Sequence, residues 1–175
     1  LTSLKINMWD YHDDKEKIDV LQLPTAKQCP NLQSLKLEIV SESVMKHIST
    51  YTSLTELSIE YDVDELSSSI TIPTLSSLSK LNALTMPCLD EDIVCALPIC
   101  APKLTYLDIC YVHILTEKTL NALSQLSIYT FLWRPQVSLR PLVSYTDEKA
   151  FLSQSICQFN SLTSLDIHER HMKCE

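Results

Sequence analysis

Glycine is absent from all 175 residues. That absence excludes a P-loop, a dinucleotide-binding fingerprint, a glycine-built nucleophile elbow and an EF-hand loop. Turns that need positive φ must use Asn, Asp or other residues instead. No Cys-x-x-Cys pair occurs among the seven cysteines, 29, 88, 95, 100, 110, 157 and 174, and no Asn-x-Ser/Thr sequon exists. An odd cysteine count without a sequon points to a reducing, intracellular compartment, the cytoplasm first. The longest uninterrupted apolar run, Ile93 to Ala101, contains Pro98 and is too short to span a bilayer. No basic-then-apolar leader is visible at the start. Cations are fewer than acids, 14 against 22, for a formal net charge of −8. Such a chain gains nothing from counterion release on phosphates, so nucleic acid and anionic membrane are poor partners.

What is present is one short unit, repeated. Leu32, Leu35 and Leu37 fall at positions 1, 4 and 6 of it. The same spacing returns as Leu1, Leu4, Ile6; Leu54, Leu57, Ile59; Leu81, Leu84, Met86; Leu104, Leu107, Ile109; and Leu162, Leu165, Ile167. Ile128, Phe131 and Trp133 form a weaker copy. The units start at 1, 32, 54, 81, 104, 128 and 162. Their separations straddle the roughly 20–29 residues of a leucine-rich repeat. The expectation is an α/β fold: a leucine-rich-repeat solenoid with a parallel concave sheet, short convex helices and irregular segments. One strand and one helix cannot cover their own apolar face, so neighbours stack to make a continuous core. Residues 1–175 read as a single domain of about seven units, and as a fragment of a longer chain, since the sequence opens inside a unit.

Between strands, Ser41 or Ser43 caps a helix to Ile48 with Val44, Met45 and Ile48 inward. Residues 62–80, rich in serine, predict an irregular convex segment. Asp90 to Leu97 reads as an acid-started helix ended near Pro98, and Thr116 to Leu126 as a helix with Leu120, Leu123 and Leu126 inward. Residues 10–19 are a charged loop or helix start, 134–146 a proline-containing insertion, and Asp147 to Cys157 a further helix.

The string Cys29-Pro30-Asn31-Leu32-Gln33-Ser34-Leu35-Lys36-Leu37 and the stretch Cys100 to Ile109 resemble the cysteine-containing leucine-rich repeats of F-box proteins. In that family a Cys-Pro-x-Leu opens the strand, and residues 115–125 are similar to its threonine-aspartate helix start. Cys29 and Cys100 match the family cysteine; Tyr51, Leu78, Gln125 and Phe159 stand at the equivalent positions elsewhere. No F-box segment is present in the sequence. The resemblance implies substrate recognition in a ubiquitin-ligase adaptor.

Strand residues pointing away from the core form columns. The first is Ser3, Ser34, Glu56, Ala83, Tyr106, Thr130, Ser164; the second is Lys5, Lys36, Ser58, Thr85, Asp108, Leu132, Asp166. The third is Asn7, Glu38, Glu60, Pro87, Cys110, Arg134, His168. Solenoids use this face for partners. Glu56, Glu60, Tyr61, Tyr106, Asp108 and Tyr111 combine acid with aromatic, which suits a protein partner offering basic and apolar surface. Cys95, Cys100, Cys110 and His113 match no standard zinc spacing and read as structural. Cys88-Leu89-Asp90 resembles the Cys-x-Asp nucleophile of bacterial ligases fused to leucine-rich repeats, though here it lies between a strand and a helix. The expectation is a protein-interaction module or scaffold with no catalytic, cofactor or metal residues. A structural subunit of a large assembly and a thiol-dependent ligase fragment stand as alternatives.

Overall fold

The computed structural model describes residues 1–6, 23–62, 67–87, 89–110, 116–134 and 159–167. Their framework is a single seven-stranded parallel sheet in strict sequence order. The strands are β1 (Ser3–Ile6), β2 (Ser34–Val40), β3 (Glu56–Asp62), β4 (Ala83–Pro87), β5 (Tyr106–Cys110), β6 (Thr130–Arg134) and β7 (Ser164–Ile167). Among the described residues four helices lie between them: α1 (Glu42–Ile48), α2 (Ser68–Ser77), α3 (Glu91–Cys100) and α4 (Glu117–Leu123). Parallel neighbours cannot be joined by a hairpin, so each strand must be reached by a crossover.

Alternation divides each strand between two faces. One face is apolar and fully buried: Leu35, Leu37, Leu57, Ile59, Leu84, Met86, Leu107 and Ile109 join a single core with the inner sides of the helices. Leu32, Leu54 and Leu104, which open three of the units, are equally buried. The sequence spacing therefore located the core correctly. The helices pack side by side in chain order, α1 on α2, α2 on α3 and α3 on α4.

Register follows the repeat unit. The Cα partners run Ser3–Ser34–Glu56–Ala83–Tyr106–Thr130–Ser164 and Lys5–Lys36–Ser58–Thr85–Asp108–Leu132–Asp166 across the sheet. A second device repeats at each of the six junctions. The carbonyl just before a strand accepts two N–H groups from the next unit. Thr2 O takes Gln33 and Ser34, Gln33 O takes Thr55 and Glu56, and Thr55 O takes Asn82 and Ala83. Asn82 O, Thr105 O and Tyr129 O continue the series through Ser164. Thr55, Thr105 and Thr163 each add a hydroxyl bond to the same carbonyl they approach. Both lone pairs of these carbonyls are thus used at the open end of every strand pair.

Helix starts agree with the sequence. Ser41 Oγ accepts from Val44 N, Asp90 Oδ1 from Ile93 N at 2.7 Å and Thr116 Oγ1 from Thr119 N. Lacking glycine, the chain ends its helices at negative φ: Ser49 and Ser124 stay in the α region, while Leu78 and Ala101 take φ of −93° and −136°.

Three expectations are corrected. Residues 68–77 are helical, not irregular. The inward stripe there is Thr71, Thr74, Leu75 and Leu78, a helical i, i+3, i+4, i+7 set. Half of it is threonine, so hydrophobic periodicity alone does not reveal it. Next, α3 runs through Pro98 to Cys100. Its buried stripe is Ile93, Val94, Leu97 and Cys100, and seating Cys100 requires the extra turn beyond the proline. Lastly, Cys100 is not the counterpart of Cys29. Before β2, β3, β4 and β5, the N–H of the first unit leucine closes a turn on the residue three back: Leu32 on Cys29, Leu54 on Tyr51, Leu81 on Leu78 and Leu104 on Ala101. Ala101 holds Cys29's place. In the sixth unit Gln125 is exposed and the adjacent Leu126 is buried. The expected segments at 10–19, 135–146 and 147–157 lie outside the described residues.

Candidate functional site

The face of the sheet opposite the core is the candidate surface. Its first row is small and polar at both ends, with Ser3, Ser34, Thr130 and Ser164 flanking Glu56, Ala83 and Tyr106. Glu56 is exposed, and Ala83 and Tyr106 are half-buried. The second row begins with Lys5 and Lys36 and ends with Asp166.

Among the expected site residues, Glu60 is held in an ion pair. Lys36 Nζ lies 2.5 Å from its Oε1, and both side chains are about a third exposed. Lys36 and Ser58 are register partners, so Glu60, two residues past Ser58, is reached on the diagonal. The sequence columns contain this pair, but Lys36 was not among the expected site residues; the i, j+2 relation was the signal that could have found it. Such exposed pairs contribute about 0–1 kcal/mol, so this one orients charge more than it stabilises.

Asp108 keeps its column but is only 4% exposed. Thr85 and Leu132 flank it in register. A carboxylate so enclosed must be engaged by neighbours, and it is. It therefore offers a partner little surface. Pro87 closes the third row at β4, where it is buried. Tyr61 lies on β3 opposite Ile39. Tyr111 lies outside the described residues. The structure thus aligns Glu56 and Tyr106 in one row, sets Glu60 beside Lys36, and buries Asp108.

On the helix side, an open groove of about 650 Å³ runs between α3 and α4, lined by Glu91, Cys95, Thr116, Glu117, Lys118, Asn121, Ala122 and Gln125. Thr116 Oγ1 donates to Glu91 Oε1 at 2.9 Å, and Lys118 Nζ stands 4.0 Å from Glu91 and 3.9 Å from Asp92. Cys95 is half-buried there, and desolvation raises its thiol pKa, only partly opposed by Lys118. Burial pushes the Cys100 thiol up to about 11. Raised thiol pKa values suit structural cysteines, because the nucleophile is the thiolate. Cys29 is buried and free. Cys88, His113 and the side chain of Cys110 lie outside the described residues, and with them the Cys-x-Asp motif and part of the set Cys95, Cys100, Cys110 and His113. Among the described residues no group of three or more His, Cys, Asp or Glu could hold a metal ion.

A parallel sheet covered by helices on one face and open on the other defines the class: an α/β protein with a strand-built surface. No protein-family model matches the chain, and a search of the curated proteins finds no match. Among the described residues no helix is long and apolar enough to cross a membrane.

Proposed function

We propose that the chain is a leucine-rich-repeat solenoid whose open, concave sheet face binds a partner protein. The observation that carries the reading is the bifurcated carbonyl bond recurring at all six strand junctions, in step with the aligned rows of outward side chains. Identical junctions are what stacked copies of one unit produce, and stacked units present an extended surface for partners. The exposed acid Glu56 and the half-buried ring of Tyr106 favour a partner with basic and apolar groups. The resemblance of residues 29–37 to F-box-type repeats favours substrate recognition in a ubiquitin-ligase adaptor as the particular role. The raised thiol pKa values of Cys95 and Cys100 disfavour these two cysteines as nucleophiles, and the free state of Cys29, Cys95 and Cys100 among the described residues favours an intracellular setting.

A photo-crosslinking amino acid in place of Ser58 or Thr85 tests the reading, with the same group at Asn121 as the helix-side control. Mass spectrometry identifies the crosslinked protein, and binding is then measured with purified components. Crosslinks from the sheet positions and saturable binding support the proposal. Crosslinks from Asn121 alone would move the binding face to the helices.

A further inference from the structure

One row of the open face narrows the chemistry of the partner. Register aligns Glu56, Ala83 and Tyr106 across β3, β4 and β5. Neighbouring strands lie about 4.8 Å apart, so Glu56 and Tyr106 rise from backbones about 10 Å apart with only a methyl group between them. Ser58 and Thr85 in the next row extend the small-residue floor.

The acids of this face differ in availability. Glu60 is taken by Lys36 at 2.5 Å. Glu38, Asp108 and Asp166 are each engaged. Glu56 is exposed, and its carboxylate has no charged or hydrogen-bonding partner among the described residues. Lys36, the nearby cation of the second row, is held by Glu60 and leaves the Glu56 carboxylate for an incoming charge. Across Ala83, β5 carries the half-buried Tyr106 in the same row, its side chain already engaged by a neighbour and its face set by the strand.

We infer that the slot above Ala83 takes an arginine side chain from a partner protein, its guanidinium held between the Glu56 carboxylate and the Tyr106 ring. The inference rests on the open face being the partner surface. Arginine fits better than lysine because the planar guanidinium offers its N–H edge to a carboxylate while its flat face stacks on an aromatic ring. A lysine ammonium is a compact, strongly hydrated charge that cannot do both with one group. The small residue at position 83 is what the slot requires. A larger side chain there would occupy the volume the guanidinium needs.

The test uses the whole 175-residue chain and two blocked tripeptides, acetyl-Leu-Arg-Leu-amide and its citrulline counterpart, a neutral near-isostere. Binding is followed by NMR on the Ala83 methyl and the Tyr106 ring. The arginine peptide should shift both signals at millimolar concentration and bind about tenfold more tightly than the citrulline peptide, the combined effect of an exposed ion pair and a cation–π contact. Glu56→Gln should remove the ion-pair part and lower the arginine preference from about tenfold to about threefold, the remainder being the cation–π contact with Tyr106. Ala83→Leu should abolish the Tyr106 shift while the rest of the spectrum stays native. Equal binding of the two peptides, an arginine preference undiminished by Glu56→Gln, or silence at Ala83 and Tyr106 would each overturn the slot. Shifts confined to other open-face residues such as Lys5 or Leu132 would also remove it, yet leave the proposed function standing. That function instead falls on crosslinks confined to the helix side.

Discussion

Thr71 is fully buried in α2, and its hydroxyl has no hydrogen-bond partner among the described residues. Two other inward threonines are satisfied. Thr74 Oγ1 donates to Met45 O at 3.3 Å, tying α2 to α1, and Thr119 Oγ1 donates to Thr116 O at 2.8 Å. An unpaired buried hydroxyl costs about 1–3 kcal/mol. Thr71→Val removes that cost, keeps the β-branched shape, and adds one buried methyl worth about 0.8 kcal/mol. Some of this is lost because the replaced group did not fit ideally, so a net gain of about 1–2 kcal/mol is expected. For a domain of this size each kcal/mol raises Tm by about 2–4 °C. Thr74→Val and Thr119→Val should instead cost about 0.5–1.5 kcal/mol each. Urea denaturation of the three variants at constant m-value reads the difference. A destabilised Thr71→Val beside neutral controls would refute the reasoning, because it would mean the Thr71 hydroxyl is satisfied and the other two bonds contribute nothing.

Further outcomes follow from the same geometry. Leu107 is fully buried between its register partners Leu84 and Phe131, so Leu107→Ala should cost about 2–5 kcal/mol in chemical denaturation. The Cys100 thiol, raised from 9.0 to about 11 by burial, keeps its proton more tightly when folded. Its stabilising effect is therefore complete below pH 9 and lost as pH climbs through about 11, and Cys100→Ala should flatten that alkaline limb of the stability curve. The raised pKa of Tyr51 acts in the same direction at higher pH. Iodoacetamide at neutral pH should spare Cys29 and Cys100 in the native protein, read by mass spectrometry, whereas fast labelling of a single cysteine would return the thiol-enzyme alternative.

Strand positions were legible because the 1-4-6 spacing sets one face and one register at once, and a one-residue slip would have exposed Leu35, Leu57, Leu84 and Leu107 together. The same logic placed the outward rows. Helix α2 was illegible because Thr71 and Thr74 occupy core positions that an apolar count overlooks. The extension of α3 was hidden by Pro98, whose usual stop signal is overridden by the buried stripe reaching Cys100. At the candidate site, alternation indicated which side of the sheet Asp108 faces but not its depth, since enclosure by Thr85 and Leu132 comes from neighbouring strands. The Lys36–Glu60 pair is likewise a cross-strand diagonal that register predicts and single-strand reading omits.

Because Asp108 is buried, a charge reversal there would damage the fold and say little about binding. The direct measurement is the affinity of the crosslink-identified partner for two double variants, read by calorimetry beside their melting temperatures. One carries Glu56→Lys with Tyr106→Ala on the open face, and the other carries Asn121→Lys with Gln125→Lys on the α3–α4 groove. The open-face pair should weaken binding at least tenfold, about 1.4 kcal/mol or more, with Tm nearly unchanged, while the groove pair binds like wild type. Full affinity in the open-face variant together with loss in the groove variant would contradict the account.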